Sequence, residues 1–104
     1  ESLLDDYFAS NAPAESGMPS VQYCADKLCL SANYLGDLLR KETGISALKH
    51  IQQKTLDIAR ERMSDTSKSI GEISYELGFP YPQHFSRWFK RMTGYTPNGY
   101  RMAN

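Results

Sequence analysis

No stretch of this 104-residue sequence approaches the roughly 18 consecutive apolar residues that a membrane-spanning helix needs, so no membrane association is expected. The N-terminus has no basic segment followed by an apolar one, so no secretion signal is visible and a cytoplasmic location is expected. Cysteine is scarce. Cys24 and Cys29 lie five positions apart with no companion His or Cys cluster, and residues at i and i+5 do not share a helix face. Neither a metal site nor a bridge is expected, and the pair reads as small buried hydrophobes or free thiols in a reducing compartment. His50 and His84 are isolated from other catalytic residue types. No paired carboxylates, Ser/His/Asp or Cys/His set or Gly-rich phosphate loop can be assembled, so neither an enzyme nor a cofactor site is expected.

Net charge is also missing: 12 basic residues balance 12 acidic ones. The balance is uneven along the chain, with −4 over residues 1–30, +1 over 31–65 and +3 over 66–104. Positive charge therefore gathers in the C-terminal part. At 104 residues and 40% hydrophobic, the chain is one domain's worth, with material for a modest core or two small ones. Because it opens at Glu1 without a Met, it is expected to be a piece of a longer protein.

What is present is helix punctuation. Ser69-Ile70-Gly71-Glu72 is a capping box, and Ile70, Ile73, Ser74 and Leu77 then form one apolar face that must be buried. Gly78 ends that helix, a turn runs through Phe79-Pro80-Tyr81, and Pro82 suits the first position of a new helix. On this second helix Phe85, Trp88, Phe89 and Met92 make an apolar stripe, with Gln83, His84, Arg87 and Arg91 opposite. Such a helix-turn-helix, polar and cationic on its second helix, is the form that enters the DNA major groove.

The same pattern occurs earlier. Val21, Ala25 and Leu28 precede Ile70, Ser74 and Leu77 by 49 residues, while Leu35, Leu38, Leu39, Arg40, Thr43 and Gly44 precede Phe85, Trp88, Phe89, Lys90, Thr93 and Gly94 by 50. Two units of one supersecondary type are expected, the second with one more residue in its turn. In the first, a helix from Pro19-Ser20 to about Leu28 buries Val21, Cys24 or Ala25, and Leu28; Ser31 caps the next, with Leu35, Leu38 and Leu39 inward and Gly44 at its end.

Between the units, Ser46 to about Met63 reads as a long spacer helix with Leu48, Ile51, Gln52, Thr55, Leu56, Ala59 and Met63 on one side. Residues 2 to about 12 read as an amphipathic helix through Leu3, Leu4, Tyr7 and Phe8, ended by Asn11-Ala12-Pro13, and Pro13–Pro19 as a connector. Thr96-Pro97 starts a short final helix. The expected fold is all-α, about seven helices, with units over residues 1–45 and 65–104 and a linker helix over 46–64.

Ile73, Leu77-Gly78-Phe79, Phe85-Ser86-Arg87, Phe89-Lys90, Gly94, Thr96-Pro97 and Tyr100-Arg101 stand at spacings that closely resemble the C-terminal signature of AraC/XylS-type bacterial transcription regulators. The resemblance extends upstream to about Val21. It implies binding to promoter or operator duplex DNA, an N-terminal sensing or dimerisation domain beyond these residues, and RNA polymerase as a partner. The recognition helices are then expected at about 31–43 and 82–92.

Arg87 is the leading base reader, since Arg pairs in bidentate fashion with guanine O6 and N7. Gln83 suits adenine and His84 guanine or a phosphate, although each also reads as an ordinary solvated residue. The 50-residue offset maps these three onto Asn33, Tyr34 and Asp37. Asn33 suits adenine and Tyr34 a thymine methyl or the backbone, whereas Asp37 is repelled by phosphates unless it accepts from cytosine N4. Lys90, Arg91, Arg40, Lys41 and Lys49, with Ser69 and Tyr81, are the expected backbone contacts. Gly36, at a position where the family commonly places a reading side chain, offers none. The aromatic set Phe79, Phe85, Trp88 and Phe89 reads as core and not as a stacking platform. The alternative is a helical protein-interaction module, motivated by the neutral total, the acidic first helix and Asp37.

Overall fold

The computed structural model describes residues 2–10 and 12–103. Among them are eight helices and no strand: α1 Ser2–Ala9, α2 Ala12–Ser16, α3 Val21–Lys27, α4 Ala32–Thr43, α5 Ala47–Met63, α6 Ile70–Glu76, α7 Pro82–Thr93 and α8 Pro97–Ala103. The pairs α3–α4 and α6–α7 are the two helix-turn-helix units, and α5 joins them without a break.

The punctuation works as the residue types dictate. The side chains of Ser20, Ser31, Ser46 and Ser69 each accept the backbone N–H three residues on. At α6 the box is reciprocal, with Ser69 N–H donating to the Glu72 carboxylate at 2.8 Å and Glu72 N–H donating to Ser69 Oγ at 3.0 Å. Pro82 sits in the first turn of α7, and Gly94 ends it in the left-handed conformation.

The repeat is deeper than the residue pairs indicate. Leu30 N–H donates to the Ala25 carbonyl and Phe79 N–H to that of Ser74, the same closing bond 49 residues apart. The left-handed residue inside that bond is Gly78 in the second unit and Cys29, at φ +59°, in the first. Thr43 and Thr93 each donate from the hydroxyl to the carbonyl four residues back. Ser46 and Thr96 then cap the following helices, so α8 is the counterpart of the first turns of α5.

Two apolar clusters hold the chain together. Leu4, Cys24, Ala25, Leu35 and Ile51 fill the first unit. The larger cluster takes Leu56, Ile58, Ala59 and Met63 from α5, Ile73 and Leu77 from α6, and Phe79, Phe85, Trp88 and Phe89 beyond. Tyr7 and Phe8 also belong to it, so α1 gives Leu4 to one core and its next turn to the other.

Three expectations need correction. Pro13–Pro19 is not all connector, because Ala12–Ser16 forms α2, whose first turn admits Pro13. The Asn11 part of the expected helix stop lies outside the described residues; α1 ends at Ala9, and Ser10 Oγ donates to the Tyr7 carbonyl while accepting from Ala12 N–H. Leu28, Leu38 and Leu48, expected inside, are 50%, 37% and 55% exposed. Helical spacing places all three on a face, but the face at those turns lacks a covering partner.

Polar braces fix the second unit to the spacer. Arg62 donates through Nη1 to Glu76 at 3.1 Å and through Nη2 to the Phe8 carbonyl at 2.7 Å, linking α5, α6 and the end of α1. Lys68 adds a second cation to Glu76 at 3.0 Å. Arg101 on α8 donates to the carbonyls of Met63 and Lys68, closing the turn after α5. Tyr7 donates to the Gly17 carbonyl at 2.6 Å, and Gly17 packs on Gly78 so closely that a Cβ there would meet the Gly17 carbonyl carbon at 2.6 Å.

Candidate nucleic-acid interface

The turn before α7 is extended at Tyr81, and the fixed φ of Pro82 launches the helix directly after it. Burying Phe85, Trp88 and Phe89 then forces the other face of α7 outward. Gln83, His84, Arg87, Lys90 and Arg91 are all exposed. Gln83, Arg87 and Lys90 follow i, i+4, i+7 and His84, Arg87 and Arg91 follow i, i+3, i+7, so the five form one ridge. Tyr81, 59% exposed, meets the His84 ring edge-on with centroids 5.3 Å apart. Tyr81, Gln83, His84 and Arg87 together line one shallow concavity of about 180 Å³.

The charge on this ridge is unspent. α7 carries Arg87, Lys90 and Arg91 and no acidic residue, and none of the three pairs with a described carboxylate. Cations held this way present both a field and donors to whatever approaches.

α4 is built alike and charged differently. Asn33, Tyr34 and Asp37 are exposed on its outer face, with Ser31 Oγ accepting the Tyr34 N–H at 3.0 Å. Arg40 and Lys41 are exposed in its last turn and Lys49 in the first turn of α5. Asp37 and Glu42 cancel the two cations of α4, leaving it neutral against +3 on α7. Gly36 leaves open space, with nothing within 4 Å of an added Cβ. Ser69 is committed to its capping box, with its backbone N–H and its hydroxyl both turned to Glu72.

Matching helix-turn-helix units on one chain also occur among known proteins. The family described as a helix-turn-helix domain matches residues 24–103, about three-quarters of the chain. The arabinose operon regulatory protein of Escherichia coli is 34% identical over 77 residues, which is 74% of this chain and 26% of that protein. This chain belongs to the AraC-type helix-turn-helix family.

The C-terminal domain of the response regulator yesN from Fusobacterium nucleatum is similar to this AraC-type domain along nearly its whole length, with a TM-score of 0.77 and 25% identity over 96% of this chain and 95% of that one. The DNA-binding domain of AdpA, solved in complex with a target DNA, has the same fold: TM-score 0.72 and 21% identity over 94% of this chain and 89% of its own. The chain spans about a third or less of the length of the curated relatives it matches, from 10% for YtdP of Bacillus subtilis to 34% for RhaS of Citrobacter koseri.

Residue chemistry alone did not flag the Tyr81–His84 contact, though an i, i+3 aromatic pair was a readable signal. The braces through Arg62 and Arg101 carried no local signal, because their acceptors are backbone carbonyls far off in sequence.

Proposed function

We propose that this AraC-type domain binds double-stranded promoter or operator DNA sequence-specifically, with α4 and α7 in successive major grooves on one face of the duplex. The observation that carries the reading is the ridge of Gln83, His84 and Arg87, fully outward and backed by the buried Phe85, Trp88 and Phe89. In this reading Arg87 pairs with guanine, Gln83 with adenine, and His84, steadied by Tyr81, with guanine or a phosphate. Asn33 and Tyr34 read for α4, and Asp37 accepts from a cytosine N4. Arg40, Lys41, Lys49, Lys90 and Arg91, with Ser69 and Tyr81, bind the backbone and set register.

Dimensions support a two-groove grip. Adjacent major-groove entries on one face lie about 34 Å apart. The molecule is 40 Å along its longest axis, and the 17 residues of α5 extend about 26 Å between the units. The neutral α4 and cationic α7 make α7 the stronger partner. In the full-length protein, a sensing or dimerising N-terminal domain would govern the grip and RNA polymerase would read its result in the cytoplasm.

A salt titration on duplex DNA tests this. Contacts from the five basic backbone residues should give a log–log slope of about −4.5, since each phosphate contact contributes about −0.9. Undetectable binding at low salt across a promoter library would instead favour the helical protein-interaction module.

A further inference from the structure

Beneath α4 the first unit contains a cavity of about 360 Å³, whose walls include Leu35, Leu39, Thr43, His50, Cys24 and Leu28. The internal repeat gives part of the reason for it. At the 50-residue offset Leu35, Leu39 and His50 correspond to Phe85, Phe89 and Tyr100. In the second unit those three rings pack on one another, Phe85 to Phe89 at 5.7 Å and Phe89 to Tyr100 at 5.4 Å between centroids. The first unit keeps the same helices, caps and Thr hydroxyl bonds but has two leucines and an imidazole in place of three six-membered rings. Leu28 stands at the mouth, half-exposed, while its counterpart Leu77 is fully buried. Smaller side chains at these three positions thus leave part of this opening in the first unit.

The cavity has one polar feature. Thr43 Oγ1 donates to the Leu39 carbonyl at 2.7 Å and lies 2.8 Å from His50 Nε2. With the hydroxyl hydrogen committed, Nε2 carries the hydrogen that Thr43 accepts, and Nδ1 is left as an acceptor. His50 stands where the second unit carries the Tyr100 phenol ring. An apolar cavity of about 150 Å³ admits benzene, and ligand sites begin near 300 Å³.

We propose that this cavity binds a single-ring phenol, its ring among Leu35, Leu39 and Ile51 and its hydroxyl donating to His50. The ligand restores to the first unit the aromatic filling that the second unit supplies from its own chain.

The probe is p-cresol, the side chain of tyrosine, titrated into the whole chain while methyl resonances of Leu35, Leu39 and Ile51 are followed by NMR. Saturable shifts at roughly millimolar ligand are expected, the range open to so few atoms. Leu39→Phe, which installs the second unit's ring, should weaken binding at least tenfold. Leu28→Lys, at a half-exposed position, should weaken it several-fold and decides the matter if Leu39→Phe does not fold. Toluene, lacking the hydroxyl, should bind several-fold more weakly than p-cresol. Unsaturable or absent shifts, or unchanged binding in the folded variants, would overturn the cavity as a ligand site; equal binding of toluene would overturn the hydroxyl's assignment to His50.

Discussion

Replacing Gly78 with alanine asks two things of the turn between α6 and α7, and the structure prices them separately. The backbone there has φ +95°, outside what an L side chain readily adopts, at a cost of about 1–2 kcal/mol. The added Cβ also lies 2.6 Å from the Gly17 carbonyl carbon and 2.8 Å from Met18 N, both backbone atoms that no rotamer change can move. Forcing such an overlap into a packed site costs a further 1–3 kcal/mol or so. The expected loss is about 2–5 kcal/mol, a large part of the stability of a domain this size. Gly44→Ala serves as the control, because φ is +77° but nothing lies within 4 Å of the new Cβ. It should lose only the backbone share, about 1–2 kcal/mol. Urea denaturation followed by circular dichroism measures both variants. Equal midpoints would refute the close Gly17–Gly78 packing, and with it the docking of residues 12–18 against the second unit.

Arg87→Ala should cost about 1–3 kcal/mol at a cognate site and relax discrimination at one or two base pairs, measured by titration against single-base variants; an equal loss on random duplex would reduce Arg87 to a phosphate contact. Cys29 holds at φ +59° the left-handed position that Gly78 holds in the second unit, so Cys29→Gly should leave stability unchanged or raise it by up to about 1 kcal/mol in urea. The Ser69 backbone N–H, followed by its hydroxyl, holds the Glu72 carboxyl below its ordinary pKa. A depressed folded pKa contributes stability that is present above the ordinary value of about 4.3 and lost as pH falls through the folded one, so thermal melts should drop between about pH 5 and pH 3. Glu72→Gln keeps an uncharged cap and should drop less over that range; an unchanged profile would contradict the assignment.

Local chemistry made most of the fold legible. Ser69 with Glu72, Pro82 with Gly94, and Ser46 fixed helix ends that the structure reproduces to within a residue or two, because caps are decided by neighbours in sequence. The stripe of Phe85, Trp88 and Phe89 marks the buried face of α7, and hence its outward ridge. Facts that depend on tertiary partners were not legible. Periodicity marked Leu28, Leu38 and Leu48 as apolar-face residues but could not say that no element covers them. Nor did it reveal that Tyr7 and Phe8 join the second unit's core from the first helix of the chain. The missed helix Ala12–Ser16 came from treating Pro13 as a stop, when proline in a first turn is permitted. The cavity under α4 was present in the aligned repeats as Leu for Phe and His for Tyr, but a volume difference needs a packed counterpart to be seen.

Selecting bound sequences from a random duplex pool with this domain measures directly whether two helices grip one duplex. Two recurring half-sites with centres about 10–10.5 base pairs apart are expected, the stronger one carrying a guanine whose enrichment disappears in Arg87→Ala. A single half-site, or no enrichment over the starting pool, would contradict the two-groove grip.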